Sequence, residues 1–182
     1  MTVQSRRQLL KLAAGALPLG AAGLAAPALA AAAPRDLSFH NLHTGETLRA
    51  LYWDQGAYVP DALAAVDRVL RDFRTGDVHP IDPRLLDLLH TLGSTVETRA
   101  PFQVISGYRS PATNAMLHAH SDGVAKGSLH MQGMAIDIRL ADVDLDRLHR
   151  AALGLGAGGV GYYPASDFVH VDVGRVRRWG AT

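Results

Sequence analysis

The sequence contains no cysteine. That excludes disulfides, thiolate metal sites and cysteine nucleophiles. It does not exclude an oxidising compartment, because a chain of 182 residues, 48% of them hydrophobic, builds a core without covalent staples. There is no excess of charge either: the formal net charge is +1. The first thirty residues carry only Arg6, Arg7 and Lys11, so the remainder sums to −2. A mildly acidic domain lacks the electrostatic footprint of a nucleic-acid binder. No internal repeat is present, and low complexity is confined to the N-terminal stretch. Beyond that stretch no segment offers the roughly twenty apolar residues that spanning a bilayer needs.

What is there begins with an address. Ser5-Arg6-Arg7-Gln8-Leu9-Leu10-Lys11 precedes an uncharged run rich in Ala, Leu and Gly, and Ala28-Leu29-Ala30 supplies an A-x-A site. These are the charged, apolar and cleavage regions of an export signal, with cleavage expected after Ala30. The paired arginines followed by Leu9 resemble a twin-arginine signal, which implies delivery of a folded protein to the periplasm. The competing reading is an N-terminal membrane anchor; Gly15, Pro18, Gly20 and Gly23 and the A-x-A site argue against it. After cleavage no stable membrane association is expected. The organisation is a signal over 1–30, a small-residue linker over 31–36 and one domain over 37–182.

Within that domain, residues 37–42 and 47–52 alternate apolar and polar around His43-Thr44-Gly45-Glu46, which predicts a β-hairpin. Pro60 opens a helix whose apolar face is Leu63, Val66, Val69, Leu70 and Phe73, with Gly76 ending it. His79-Pro80-Ile81-Asp82-Pro83 is a rigid connector, with Asp82 as N-cap of a leucine-rich helix running to Gly93. Residues 102–106 read as a strand, 111–118 as a helix, 133–140 as a strand and 144–153 as a helix. Gly158, Gly159 and Gly161 lead into Tyr162-Tyr163, and residues 168–173 form the last core strand, stopped by Gly174. The pattern predicts an α+β fold with helices packed on a small antiparallel sheet.

Two stretches carry the chemistry. Ser128-Leu129-His130-Met131-Gln132-Gly133-Met134-Ala135-Ile136-Asp137 sets a histidine and an aspartate seven positions apart, with a glycine between them to turn the chain back. Asp167-Phe168-Val169-His170-Val171-Asp172 offers a second histidine with a carboxylate three residues before it. A catalytic zinc takes about three nitrogen or carboxylate ligands and keeps one position open. His130, Asp137 and His170 supply that set for one zinc ion. Two neutral histidines and one carboxylate leave the ion with positive charge, which favours ionisation of a zinc-held water. Asp167 is the candidate general base and Arg109, on the turn after a strand, the candidate electrophilic partner. Asp172 reads as a partner that orients a ligand or as a capping carboxylate, rather than as a fourth ligand. Plainer readings stand beside these. Arg109 is equally read as a surface arginine in an ion pair, and residues 133–137 as an ordinary half-buried strand. His40, His43, His79, His90, His118, His120 and His149 read as ordinary surface or core groups.

The pattern S-x-H-x-x-G-x-A-x-D, followed by an acid-x-x-His element and preceded by Ser106-Gly107-Tyr108-Arg109-Ser110, resembles the zinc D-Ala-D-Ala carboxypeptidases and dipeptidases. His79-Pro80-Ile81-Asp82-Pro83, Gly107-Tyr108-Arg109-Ser110 and Gly158-Gly159-Val160-Gly161-Tyr162-Tyr163-Pro164 resemble the YcbK-like branch, the murein endopeptidase K family. The likeness covers about residues 37–179. It implies the Hedgehog/D-Ala-D-Ala-peptidase type of fold and peptidoglycan stem peptides as substrate. It also implies cleavage of crosslinks, including those joining two diaminopimelate residues. By the same resemblance His130, Asp137 and His170 are zinc ligands, Asp167 the base and Arg109 the stabiliser of the reacting carbonyl oxygen. Ser128 lies near the substrate or lines the metal cleft, and Tyr108 is a further candidate for substrate contact. The alternatives are a D,D-carboxypeptidase that trims stem peptides and a non-catalytic, zinc-stabilised wall-binding module. Against the last, a purely structural zinc is usually closed by four ligands.

Overall fold

A computed structural model describes residues 33–120 and 125–180. The expected signal peptide and the first linker residues, 31 and 32, lie outside the described residues. The chain opens with a hairpin of β1 (Arg35–Asn41) and β2 (Thr47–Asp54), extended by the two-residue β3 (Ala57–Tyr58). Then come α1 (Pro60–Val69), α2 (Pro83–Thr95), β4 (Phe102–Ser106) and α3 (Pro111–His120). A 3-10 turn (Leu129–Gln132) leads into β5 (Ala135–Arg139), followed by α4 (Leu145–Leu155), β6 (Gly159–Tyr163), β7 (Phe168–Asp172) and β8 (Arg177–Gly180). The strands form one sheet in the order β3-β2-β1-β4-β5-β7-β6-β8.

The α+β class is as expected, but the sheet is neither small nor purely antiparallel. It has eight strands, and two of its pairings, β1 with β4 and β6 with β8, are parallel. β8 and β3 escape the sequence pattern for a physical reason. β8 lies at an edge, half exposed and rich in arginine, so it carries no apolar alternation to read. The hairpin also begins earlier than expected, since Arg35 and Asp36 already pair in β1 rather than serving as linker.

Alternation along β5 and β7 places the site. Ile136, Ile138, Val169 and Val171 are fully or almost fully buried, in one core with Leu85, Leu86 and Leu89 of α2 and Leu148 of α4. Each such side chain contributes about 1.5–3 kcal/mol when buried, several times the net value of one hydrogen bond. The apolar quartet therefore fixes which face of these two strands meets the helices. Asp137 and His170 are left on the opposite face. Among the described residues no helix is long and apolar enough to cross a membrane.

α1 stops at Val69, short of Gly76, and the reason lies in Asp72. The Leu70 carbonyl, which a longer helix would use internally, instead accepts the Tyr108 N–H at 2.8 Å. The buried Asp72 carboxylate accepts the Arg74 N–H at 2.9 Å and the Ser110 N–H at 2.9 Å. Together these bonds tie the end of α1 to the turn that carries Arg109. Burial opposes the Asp72 charge, but bonds from Thr113, Ser110 and Arg74 outweigh it and hold its pKa down at about 2. A carboxylate with a depressed folded-state pKa adds stability above its unfolded value and loses it as pH falls toward the folded value. Asp72→Asn should therefore cost on the order of 1–2 kcal/mol at pH 7. In urea titrations that difference should hold above pH about 4 and shrink as the pH approaches 2.

Candidate active site

β5 and β7 pair antiparallel with Asp137 directly opposite His170. Both side chains are buried, on the sheet face away from α2 and α4. His130 comes from the 3-10 turn. Ser128 caps that turn, its hydroxyl accepting the His130 N–H at 3.4 Å. Gly133 closes the turn in the left-handed region, at φ 65°, and sends the chain back into β5. A Cβ on Gly133 would overlap the Pro80 carbonyl oxygen. The Gly133 carbonyl in turn accepts the Asp82 N–H at 2.9 Å, and the Ile81 N–H is held by Asp67 at 2.8 Å. The proline-rich connector is thus the bed on which the His130 turn lies.

Three atoms converge. His130 Nε2 is 3.1 Å from His170 Nδ1, His170 Nδ1 is 2.8 Å from Asp137 Oδ1, and His130 Nε2 is 3.2 Å from Asp137 Oδ1. Their outer partners settle which nitrogens carry protons. His130 Nδ1 lies 2.7 Å from the Gly107 carbonyl oxygen, which only accepts, so Nδ1 holds the hydrogen and Nε2 presents a lone pair. His170 Nε2 lies 3.0 Å from Asp172 Oδ2. That carboxylate is paired with Arg177 and held well below the usual carboxylate range, its burial outweighed by bonds from His170 and Arg177. His170 Nε2 therefore donates, and Nδ1 faces Asp137, donating to it when the ring is charged and offering a lone pair when it is neutral. Two lone pairs and a carboxylate oxygen within 3.2 Å of one another require a proton or a cation between them. Tetrahedral zinc, with bonds of about 2.0–2.1 Å, spaces its ligand atoms by roughly 3.3 Å, so the triangle has the size of a zinc site. The titration directions follow from how closely the three groups sit. Burial holds His130 below its ordinary pKa. Asp137 is driven far below the carboxylate range because its two histidine neighbours outweigh its burial. His170 is raised: burial opposes its charge, but bonds to Asp137 and Asp172 prevail. Among the described residues this is the one group of three that could hold a metal; His118 and His120, on α3, stand outside it.

The cluster lies in an open cleft of about 540 Å³, lined also by Arg109, Ser128, Tyr163, Phe168 and Trp179. Arg109 is buried, and its N–H donates to the His130 carbonyl at 3.2 Å. Its guanidinium reaches Asp137 Oδ2, Ser106 Oγ and Asn114 Oδ1 only at 3.5 Å each, and its Nε has no hydrogen-bond partner among the described residues. Burial lowers its pKa, with Asp137 opposing. A guanidinium so loosely satisfied is free to take a stronger acceptor from a bound molecule.

Two other candidates sit differently. Asp167 adopts a left-handed conformation at φ 53°, and its carboxylate pairs with Arg139 Nη1 at 2.6 Å with the side chain 61% exposed. The cleft lining passes from Ser166 to Phe168 and leaves it out. Arg139 shares the Asp137 face of β5, so the pair lies on the cleft side of the sheet, farther along the strands. Tyr108 stacks on His79, ring centroids 4.7 Å apart, and does not line the cleft.

The sequence model of the family described as peptidoglycan L,D-endopeptidase MepK matches residues 29–179. The chain belongs to this family. It is 46% identical over 178 residues to the peptidoglycan L,D-endopeptidase MepK of Escherichia coli K12, covering 96% of this chain and 97% of that one. The relative from Shigella flexneri stands at the same identity and coverage. The probable peptidoglycan L,D-endopeptidase MepK of Haemophilus influenzae is 42% identical over 180 residues, covering 97% and 96%. The family match spans every residue of the cleft named above. Arg177 and Trp179 are site neighbours that sequence reasoning missed, since they follow the last apolar strand pattern and stand in no ligand spacing.

Gly133→Ala should destabilise the fold by about 2 kcal/mol or more, combining left-handed backbone strain with a steric clash. Calorimetry would measure this as a lowered unfolding midpoint.

Proposed function

We propose that this chain is a zinc-dependent endopeptidase that hydrolyses peptide crosslinks in peptidoglycan, including bonds joining two diaminopimelate residues. We further propose that it acts in the periplasm after export by the twin-arginine route. The observation that carries the metal reading is the convergence of His130 Nε2, His170 Nδ1 and Asp137 Oδ1, with outer partners that occupy the other nitrogen of each histidine and so turn these three atoms toward one point. The reading of the substrate rests on family membership and on the names of the relatives.

In this reading His130, Asp137 and His170 hold one zinc ion. When bound, zinc acts as a Lewis acid and lowers the pKa of a coordinated water to about 7. The chain's own residues do the rest. Arg109, short of good acceptors at rest, donates to the oxygen of the scissile carbonyl as negative charge develops there. Its position beside Asp137 keeps this donor within a few ångströms of the ligand set. Ser128 holds the His130 turn and lines the cleft where the stem peptide lies. Asp167 is the carboxylate proposed as base, and the geometry sets a condition on it: its pair with Arg139 has to open before it takes a proton from water.

Mass spectrometry of products from defined crosslinked muropeptides tests the reaction. Monomers released from dimers, and no release in the presence of a chelator, are expected; free D-alanine as the product would instead mark a carboxypeptidase. His130→Ala should lose both metal and turnover, and full turnover without metal would overturn the zinc reading. Asp167→Asn should keep the metal and lose about two orders of magnitude in turnover. Near-normal turnover would leave that carboxylate only its ion pair.

A further inference from the structure

β8 is short, half exposed and at the sheet edge, yet it supports a ligand. Arg177 grips the fully buried Asp172 carboxylate with both terminal nitrogens, Nη2 to Oδ2 at 2.7 Å and Nη1 to Oδ1 at 3.1 Å. The same carboxylate accepts the Gly159 N–H at 3.0 Å and the Gly174 N–H at 2.9 Å, so its plane is fixed before it meets His170 Nε2. The Arg177 guanidinium lies over the Trp179 ring, 4.7 Å from its centroid. Trp179 packs against the His170 imidazole with centroids 5.0 Å apart and donates from Nε1 to the Tyr163 hydroxyl at 2.8 Å. His170 is thereby held at its outer nitrogen by Asp172 and against its ring by Trp179.

The glycine-rich stretch of β6 gives this arrangement room. A Cβ on Gly159 would overlap both the Arg177 guanidinium and the Asp172 carboxylate. A Cβ on Gly161 would come within 2.7 Å of the Trp179 ring. Gly159 pairs with Arg177 and Gly161 with Trp179 in the parallel β6–β8 register. Each missing side chain on β6 thus faces a large one on β8. The motif carries no reacting group; its glycines seat the two residues that brace His170.

We propose that Arg177 and Trp179 are positioning residues for His170, fixing its tautomer and ring plane from β8 and so setting the affinity of the metal site. The inference rests on the zinc reading above. Partners that orient a ligating histidine are worth about 10–100-fold in metal affinity. Arg177 acts through Asp172 and Trp179 acts on the ring directly.

The test is zinc affinity by chelator competition, with the absorption spectrum of the cobalt-substituted protein as a second readout. Arg177→Met should bind zinc about 10–100-fold more weakly and shift the cobalt spectrum. Arg177→Lys should recover part of the loss, and Trp179→Phe should weaken binding while circular dichroism stays unchanged. Adding Arg177→Met to Asp172→Asn should cost little beyond Asp172→Asn alone, as for residues acting in series. Should Arg177→Met fail to fold, Arg177→Lys and Trp179→Phe decide. Zinc affinity within twofold of wild type and an unchanged cobalt spectrum in the folded variants would overturn the inference. A wild-type protein that binds no zinc would sink the metal reading instead.

Discussion

Three electron-pair donors held within 3.2 Å of one another are the constraint around which this molecule is arranged. Such a cluster is unfavourable on its own, since each donor is buried and each faces another of its kind. It persists because every donor is fixed from outside. Gly107 holds the far nitrogen of His130, Asp172 that of His170, and strand pairing places Asp137 opposite His170. The fold maintains this geometry, and a proton or a cation between the three groups offsets their mutual repulsion.

Much of the surrounding architecture is then intelligible as bracing. The Gly107–Ser110 turn is tied to α1 through the Leu70 carbonyl and Asp72, and it holds His130 at both the side chain and the carbonyl. The His79–Pro83 connector supports Gly133. β6 and β8 stand behind His170. The turn, the connector and the glycine-rich start of β6 are the stretches that resemble the murein endopeptidase K family in sequence, and none of them contributes one of the three clustered groups. They reach the site from different parts of the sequence, and each contacts the ligands or the residues next to them.

The site was more legible in the sequence than its supports were. His130, Asp137 and His170 stood out as a set: each stretch alone also reads as an ordinary strand or turn, and it is the two histidines and the aspartate taken together that supply three ligands. Strand alternation then predicts which face each occupies. The hairpin and α2 were readable from turn residues and from the Asp82-Pro83 start. The end of α1 was not, because it depends on the Asp72 carboxylate meeting Ser110, 38 residues away, and no local pattern records such a contact. β8 was invisible for the same reason: Arg177-Arg178-Trp179-Gly180 carries no apolar alternation, and what makes it a strand is the partner β6. Asp167 shows the opposite difficulty. Its place three residues before His170 makes it a candidate base, but its left-handed backbone and its pair with Arg139 are tertiary facts that spacing does not contain.

The direct pairing of Asp137 with His170 has one more consequence. In a β-ladder, sliding one strand by a single residue sends its side chains to the opposite face. A copy of the chain in which β5 and β7 joined one step out of place would turn Asp137 or His170 into the helix layer. Such a molecule would lack the cluster of His130, Asp137 and His170. Correct strand pairing thereby serves as an internal safeguard: the three groups meet only in molecules whose sheet has paired in register, because Asp137 opposite His170 is itself a contact of the sheet.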